Sequence, residues 1–284
     1  SLAAEGVSLR AARLADRSAV EDVCRGVWEG HDYLPSVFDR WLADPQSIFQ
    51  VGELDGQVVA VHRLRPIAPG LVFYEGLRVA AAHRRRGIAR AMLLSALESA
   101  RDQGFAEMRL VTAGDHLAAP LVESNGFELI CTTQVWTASG LEGGDLPRMV
   151  SDDSAAALWP TLAADPALAA YRGVNPDWQA VLDLDLPLLR RLAGEGLLRQ
   201  SGPPWAIAIL HEPVEDRLSV TFAAGSDAAL EELLTGLRYE ADARNLQSVT
   251  LVAPLDHPSA ESVRGVGYHL ADDSWSMRAY RLKL

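Results

Sequence analysis

Shifted by 141 residues, positions 77–129 of this chain lie over positions 218–270 without a gap, and thirteen of the 53 pairs are identical. The matches include Leu77/Leu218, Val79/Val220, Leu110/Leu251, Val111/Val252, Asp115/Asp256, His116/His257, Gly126/Gly267 and Leu129/Leu270. They cluster at apolar strand positions and at turns, which chance in an Ala/Leu-rich chain does not favour. A chain of 284 residues has room for two domains. The expectation is therefore one fold used twice, with domains at 1–140 and 148–284. Residues 138–147, with three glycines and a proline, read as the linker between them.

Local patterns supply the elements. Val7-Ser8-Leu9-Arg10 reads as a strand. Asp16 is placed to cap a helix carrying Val20, Val23, Cys24, Val27 and Trp28 at helical spacing. A loop at His31-Asp32-Tyr33-Leu34-Pro35 leads to a short helix with Val37, Phe38, Trp41 and Leu42, ended by Asp44-Pro45. Strands near 48–54 and 57–64 flank Asp55-Gly56, a hairpin signal. A strand at 71–79, a long helix from about 87 to 101 stopped by Gly104, a strand at 107–112, a helix at 117–124 and a strand at 127–136 follow. This order predicts an α/β (α+β) fold, a mixed, mostly antiparallel sheet flanked by helices.

The join between the strand at 71–79 and the long helix carries chemistry. It reads Leu77-Arg78-Val79-Ala80-Ala81-Ala82-His83-Arg84-Arg85-Arg86-Gly87-Ile88-Ala89. Gly87 permits close backbone approach, the helix N-terminus offers unpaired N–H groups, and Arg84, Arg85 and Arg86 add charge suited to phosphate oxygens. Neither G-x-x-x-x-G-K-[ST] nor G-x-G-x-x-G is present. The bland alternative is a solvated basic helix start. His83 has no ligand partner at useful spacing and reads as a loop residue.

The pattern Arg84-x-x-Gly87-x-Ala89 after Leu77-x-Val79, followed by Asp115-x-x-Ala118-x-x-Leu121 and Gly126-Phe127, resembles the acetyl-CoA motif of the GNAT superfamily of N-acetyltransferases. The resemblance covers residues 7–136 and implies two tandem GNAT-like domains. It implies acetyl-CoA as cosubstrate, with Leu77, Arg78 and Val79 beside the pantetheine arm. Arg84, Arg85, Arg86, Gly87, Ile88, Ala89 and Arg90 would wrap the pyrophosphate, and Asp115, Ala118 and Leu121 would complete the site. Glu75 becomes the candidate base, before Gly76, where relatives commonly carry a bulge; a carboxylate paired with an arginine such as Arg78 is the competing reading. Many relatives carry a tyrosine acid at the position of Val122, and valine cannot donate a proton. Tyr33 and Cys131 are the alternatives within reach of thought.

Asp32-Tyr33-Leu34-Pro35, Trp41-Leu42, Asp44-Pro45 and Glu75-Gly76-Leu77-Arg78-Val79 resemble the histidine N-acetyltransferase group. That implies a free amino acid as acceptor, with His31, Asp32 and Tyr33 as substrate-binding candidates and Arg63, Arg65 or Arg78 as counter-charge. The competing reading makes Tyr33, Leu34 and Trp41 packing residues. His62 lies on a strand and is able to face the pocket.

In the ungapped repeat, residues 84–89 become Gly225-Ser226-Asp227-Ala228-Ala229-Leu230. The arginines are gone, so residues 148–284 read as a degenerate, structural or acceptor-shaping copy, and the two copies as an internal pseudo-dimer in a monomer, or in a homodimer. The net charge is −12, with 14 basic and 19 acidic residues in 1–146 and 12 and 19 in 147–284. That disfavours a nucleic-acid partner. Two cysteines, no metal-ligand spacing, no long apolar run and no leader pattern predict a cytoplasmic protein without metal or membrane association. The function expected is acetyl transfer to a small-molecule amine. A non-catalytic acyl-CoA-binding or sensing module and a protein lysine acetyltransferase are the alternatives.

Overall fold

The computed structural model describes residues 6–203 and 205–284. Residues 1–5, which open the expected 1–140 domain, lie outside the described residues. The chain divides into two compact units that interleave in sequence. The first comprises 1–110, 120–128 and 281–284, the second 111–119 and 129–280.

The first unit is built on β1 (Val7–Ala11), α1 (Arg17–Cys24), α2 (Leu34–Leu42), β2 (Ile48–Leu54), β3 (Gln57–Ala68), β4 (Leu71–Val79), α3 (Ile88–Asp102), the start of β5 (Glu107–Ala113) and most of α4 (Ala119–Ser124). The strands lie in the order β1-β2-β3-β4-β5. All pairs are antiparallel except β4–β5. Asp55 and Gly56 make the β2–β3 turn with φ of 51° and 76°, as a two-residue hairpin of mirror-image type requires. Helices α1 and α2 bury Val20, Val23, Leu34, Phe38 and Trp41 with Phe49 and Val61 of the sheet. α3 buries Ile88 and Met92 with Leu54, Val59 and Ala60. Asp16 precedes α1 but does not cap it with its side chain. Its carboxylate instead accepts from the Arg13 N–H at 2.7 Å and from Arg10 at 2.7 and 2.8 Å. The arginine out-competes the helix end for the same oxygens.

The second unit contains β6 (Glu128–Ser139), β7 (Arg148–Met149), α5 (Asp152–Ala163), α6 (Pro166–Ala170), β8 (Val174–Pro176), β9 (Val181–Asp183), α7 (Leu186–Gly194), β10 (Leu198–Ser201), β11 (Ala206–Val214), β12 (Arg217–Gly225), α8 (Asp227–Ala243), β13 (Ser248–Pro254), α9 (Ala260–Gly265), β14 (His269–Leu270) and β15 (Met277–Lys283). Its order is β15-β6-β13-β12-β11-β10-β7, with β14 on β6 and β8–β9 a separate ribbon. β12–β13 is parallel. Mixed, mostly antiparallel strands flanked by helices are thus found in both units, as the sequence predicts. Helix α8 covers one face through Leu230, Leu233, Leu234 and Leu237. Helices α5 and α7 cover the other through Leu162, Leu189 and Leu192.

Residues 138–147 pack rather than float. A Cβ at Gly144 would stand 2.1 Å from the Tyr239 ring, and one at Gly236 would stand 3.2 Å from Pro147. The glycines permit close approach to α8, a use of glycine that linker composition alone does not disclose.

The ungapped 141-residue offset does not hold along β12. Leu71 faces Glu107 across β4–β5, whereas Arg217 faces Ser248 across β12–β13. Glu107 and Ser248 keep the offset, so the residue matching Leu71 is Arg217 and not Glu212, five positions earlier. Eight residues, 80–87, join β4 to α3, but Ser226 alone joins β12 to α8. The arginine loop is missing from the second unit, not merely stripped of charge.

Candidate active site

β3 and β4 lose register between Val61–Arg78 and Arg63–Glu75, so one extra residue bulges from β4. Gly76 sits in the bulge with φ of 70°. A Cβ there would lie 2.6 Å from Trp41, which is buried beneath it at 3% exposure. Glycine is required twice, by the backbone and by the ring. Trp41 is therefore a packing residue.

Glu75 Oε1 accepts from Arg63 Nη1 at 3.0 Å and from Arg65 Nε at 2.8 Å. The competing reading, a carboxylate paired with an arginine, is met by Arg63 and Arg65, and Arg78 pairs with Asp32 instead. Arg63 also pairs with Asp44 through Nη2 and lies 4.8 Å above the Trp41 ring. Its Nε is buried without a hydrogen-bond partner, and burial holds the guanidinium below the usual arginine range despite Glu75 and Asp44. Arg63 and Arg65 project on one face of β3 because side chains alternate along a strand. That alternation was the available signal for this cluster. Which carboxylate they meet depends on the bulge.

Arg78 turns to Asp32. Its Nε and Nη2 donate to Oδ2 and Oδ1 at 2.7 and 3.1 Å, and the Asp32 side chain is 3% exposed. Asp32 Oδ1 also accepts the Leu34 N–H at 3.1 Å, which fixes the start of α2. The Arg78 guanidinium stands 4.9 Å from the Trp28 ring and 5.5 Å from the Tyr33 ring, and those rings stack at 6.0 Å. Trp28 and Tyr33 are 51% and 40% exposed. Trp28 has a φ of 46°, a left-handed conformation that is costly for a bulky residue. The spacing predicts Trp28 on the helix behind Asp16, but α1 ends at Cys24, and Trp28 lies in a separate turn at 27–30 between Gly26 and Gly30, both left-handed. His31 is exposed and closes the short turn of 27–30 through its N–H to Trp28 O at 3.0 Å. His62 does not face a pocket. It is buried between Tyr74 OH at 3.1 Å and Gln50 Oε1 at 3.0 Å, and burial pushes it down to about 3.

Gly87, with φ of 79°, precedes the 15-residue helix α3, and no side chain caps its first turn. The leading N–H groups of Ile88, Ala89 and Arg90 are left for another acceptor. Ile88 buries its side chain and offers only backbone. Arg84, Arg85, Arg86 and Arg90 are exposed. Arg84 Nε donates to Val79 O at 3.1 Å, and Arg86 Nη1 lies 3.2 Å from His83 Nδ1, so His83 is a loop residue that steadies an arginine. Leu77 and Val79 are half-buried against the α3 side of the sheet. Glu75, Leu77, Arg78, Val79, the loop and Leu121 share the first unit; Asp115 and Ala118 fall in the second. Asp115 Oδ1 accepts the Leu117 N–H at 3.3 Å in the turn after β5. Val122 is buried, and burial pushes the Cys131 thiol up to about 11. Among the described residues no cluster of His, Cys, Asp and Glu forms a metal site, and no helix is long and apolar enough to cross a membrane.

A bulged strand, a glycine-led basic loop and a helix whose first turn no side chain caps thus come together in the first unit. Residues 16–127 match the model of the Acetyltransferase (GNAT) family. The chain is 35% identical over 104 residues to N-acetyltransferase family 8 member 3 of Rattus norvegicus, covering 34% of this chain and 46% of that protein. It is 34% identical over 101 residues to human N-acetyltransferase 8, covering 34% and 44%. The chain thus spans less than half the length of these curated relatives. Over 98% of its length the chain shares a fold with the GCN5-related N-acetyltransferases of Sphaerobacter thermophilus (TM-score 0.62, 13% identity, 95% of that chain) and Kribbella flavida (TM-score 0.53, 15% identity, 71% of that chain).

Proposed function

We propose that the protein is an acetyl-CoA-dependent N-acetyltransferase that acetylates the amine of a small molecule. The observation that carries this is the β4–α3 join: Gly87 in the left-handed region, an uncapped helix N-terminus, and Arg84, Arg85 and Arg86 beside it, within the matched segment. These groups suit a pyrophosphate, which needs N–H donors and mobile positive charge. When bound, the thioester supplies the acetyl group. The amine nitrogen forms the new C–N bond, the C–S bond breaks to release coenzyme A as its thiolate, and the amine proton must leave. Glu75 is our candidate to take it, held on the bulge by Arg63 and Arg65. For an α-amine, whose ordinary pKa is about 7.7–8.0, the base has little to do.

The acceptor proposed is a free amino acid, as in the histidine N-acetyltransferase group. The exposed Tyr33 beside Arg78 supports this, whereas Asp32, already held by Arg78 and Leu34, is a support for the loop and not the ammonium's partner. We assign the second unit to a degenerate copy of the same fold, structural or acceptor-shaping. A non-catalytic acyl-CoA-binding module is the second reading, favoured by Val122. Free-thiol release from acetyl-CoA, measured across amino acids and simple amines, separates them. Turnover supports the enzyme; tight binding without turnover on any acceptor refutes it.

A further inference from the structure

In both units two parallel strands pair briefly and then part. β4 faces β5 only from Leu71–Glu107 to Phe73–Arg109, and β12 faces β13 only from Arg217–Ser248 to Val220–Leu251. Past those points no further parallel pair between these strands forms among the described residues. An extended chain bearing amides fits such a gap as a short extra strand. In the first unit β4 runs on from that point toward the basic loop and Gly87.

In the second unit side chains fill the gap. Tyr171, which closes α6, is fully buried. Its hydroxyl donates to the Val252 carbonyl on β13 at 2.7 Å and accepts the Ala223 N–H of β12 at 3.3 Å. One hydroxyl therefore bridges the two parted strands. His257 Nε2 donates to the Ala223 carbonyl at 2.9 Å, while its Nδ1 accepts the Ser259 N–H at 3.1 Å, which sets the neutral tautomer. The Tyr171 ring lies 4.3 Å from Phe222 and meets His257 edge-on at 5.7 Å. Both backbone groups of Ala223 are thus answered by side chains. Counted from the bulge of each strand, Ala223 on β12 stands where Val79 stands on β4, a residue expected beside the coenzyme arm. His116, the offset partner of His257, instead bonds Thr112 at 2.9 Å and Ser276 at 2.8 Å. A pocket of about 440 Å³ remains at the side of the plug, lined in part by Ala170, Arg172 and Cys131.

We infer that the gap between β12 and β13 is an arm-binding cleft with an internal ligand, Tyr171 with His257, and that removing Tyr171 reopens it to an uncharged, amide-bearing chain. With Ser226 alone between β12 and α8, the reopened cleft has no loop for a pyrophosphate and takes pantetheine, not coenzyme A. The comparison with the first unit rests on the proposed coenzyme site there; the hydrogen bonds of Tyr171 do not.

Thermal unfolding of the full chain tests this. Wild type, Tyr171→Ala and Tyr171→Phe are first saturated with acetyl-CoA, then titrated with pantetheine, and separately with p-cresol. The expected result is a lowered midpoint in Tyr171→Ala that pantetheine raises, with no pantetheine response in the other two proteins. Rescue of Tyr171→Ala by p-cresol but not by pantetheine would make Tyr171 a core residue only and overturn the inference, as would a pantetheine response in wild type. If Tyr171→Ala does not fold, hydrogen exchange of Tyr171→Phe decides: faster exchange at Ala223 is expected, and unchanged exchange overturns the bridge. A wild type that ignores acetyl-CoA at the first step refutes the proposed function and leaves the pantetheine comparison intact.

Discussion

Arg78 on β4 and Asp32 before α2 hold each other through two hydrogen bonds, of 2.7 and 3.1 Å, with the carboxylate almost wholly buried. The sequence places Asp32 at the acceptor and leaves Arg78 open between the coenzyme and the acceptor's counter-charge. Their union ties the acceptor-side loop to the bulged strand. Asp32→Asn leaves Arg78 beside a neutral partner, and removing one member of a buried pair typically costs about 3–5 kcal/mol. The expected outcome in urea unfolding is a loss of that order, with kcat/KM falling alike for amino acids and simple amines. Tyr33→Phe should leave stability nearly unchanged and affect amino acids more. Equal effects of Tyr33→Phe on both acceptor classes would remove Tyr33 from carboxylate recognition.

Glu75→Gln keeps the shape of the bulge and removes the charge that Arg63 and Arg65 share. General-base catalysis is worth about 10²–10⁴-fold. A fall in kcat of that size is expected, with a changed pH–rate profile and an acetyl-CoA affinity close to wild type. An unaltered profile would reduce Glu75 to a tether for the two arginines.

Gly76→Ala forces a left-handed alanine against Trp41. Backbone strain and overpacking each cost roughly 1–3 kcal/mol. A lower melting midpoint and lost activity are expected, and Trp41→Phe in the same chain should recover part of the stability by relieving the contact. A Gly76→Ala protein with wild-type stability would mean that the bulge is not held as described.

His62 is neutral and buried, pushed down to about 3 from an ordinary value near 6.5. The unfolded chain takes up a proton below about pH 6.5 that the folded chain refuses, so stability is full above that pH and falls as pH drops toward 3. The slope from one such group approaches ~1.4 kcal/mol per pH unit. His62→Gln should flatten part of the decline between about pH 6 and pH 4 in urea-midpoint measurements; His116 and His257, also lowered by burial, account for more of it. An unchanged decline in His62→Gln would contradict the burial of a neutral ring.

The hairpin at Asp55-Gly56 and the helix behind Gly87 were legible because turn chemistry and helical periodicity are local. The pairing of Glu75 was not, because Arg63 and Arg65 reach it only through the bulge at Gly76, a register event between strands. Arg78 and Trp28 show the same limit, since their contact joins residues far apart in sequence. The second half misled for another reason. An ungapped match of thirteen identities hid a five-residue slip along β12 and the absence of the eight-residue loop, compensated elsewhere in the chain. Tyr171 left no sequence signal, because its role is a hydroxyl placed between two strands.

Calorimetric titration of acetyl-CoA into wild type and Gly87→Val tests the proposed coenzyme site most directly. A side chain at Gly87 is strained at φ of 79° and obstructs backbone approach to an anion. The account predicts one equivalent bound per wild-type chain and none by Gly87→Val, whose melting curve without ligand should still show a single folded state. Two equivalents in wild type, or undiminished binding by a folded Gly87→Val, would contradict it.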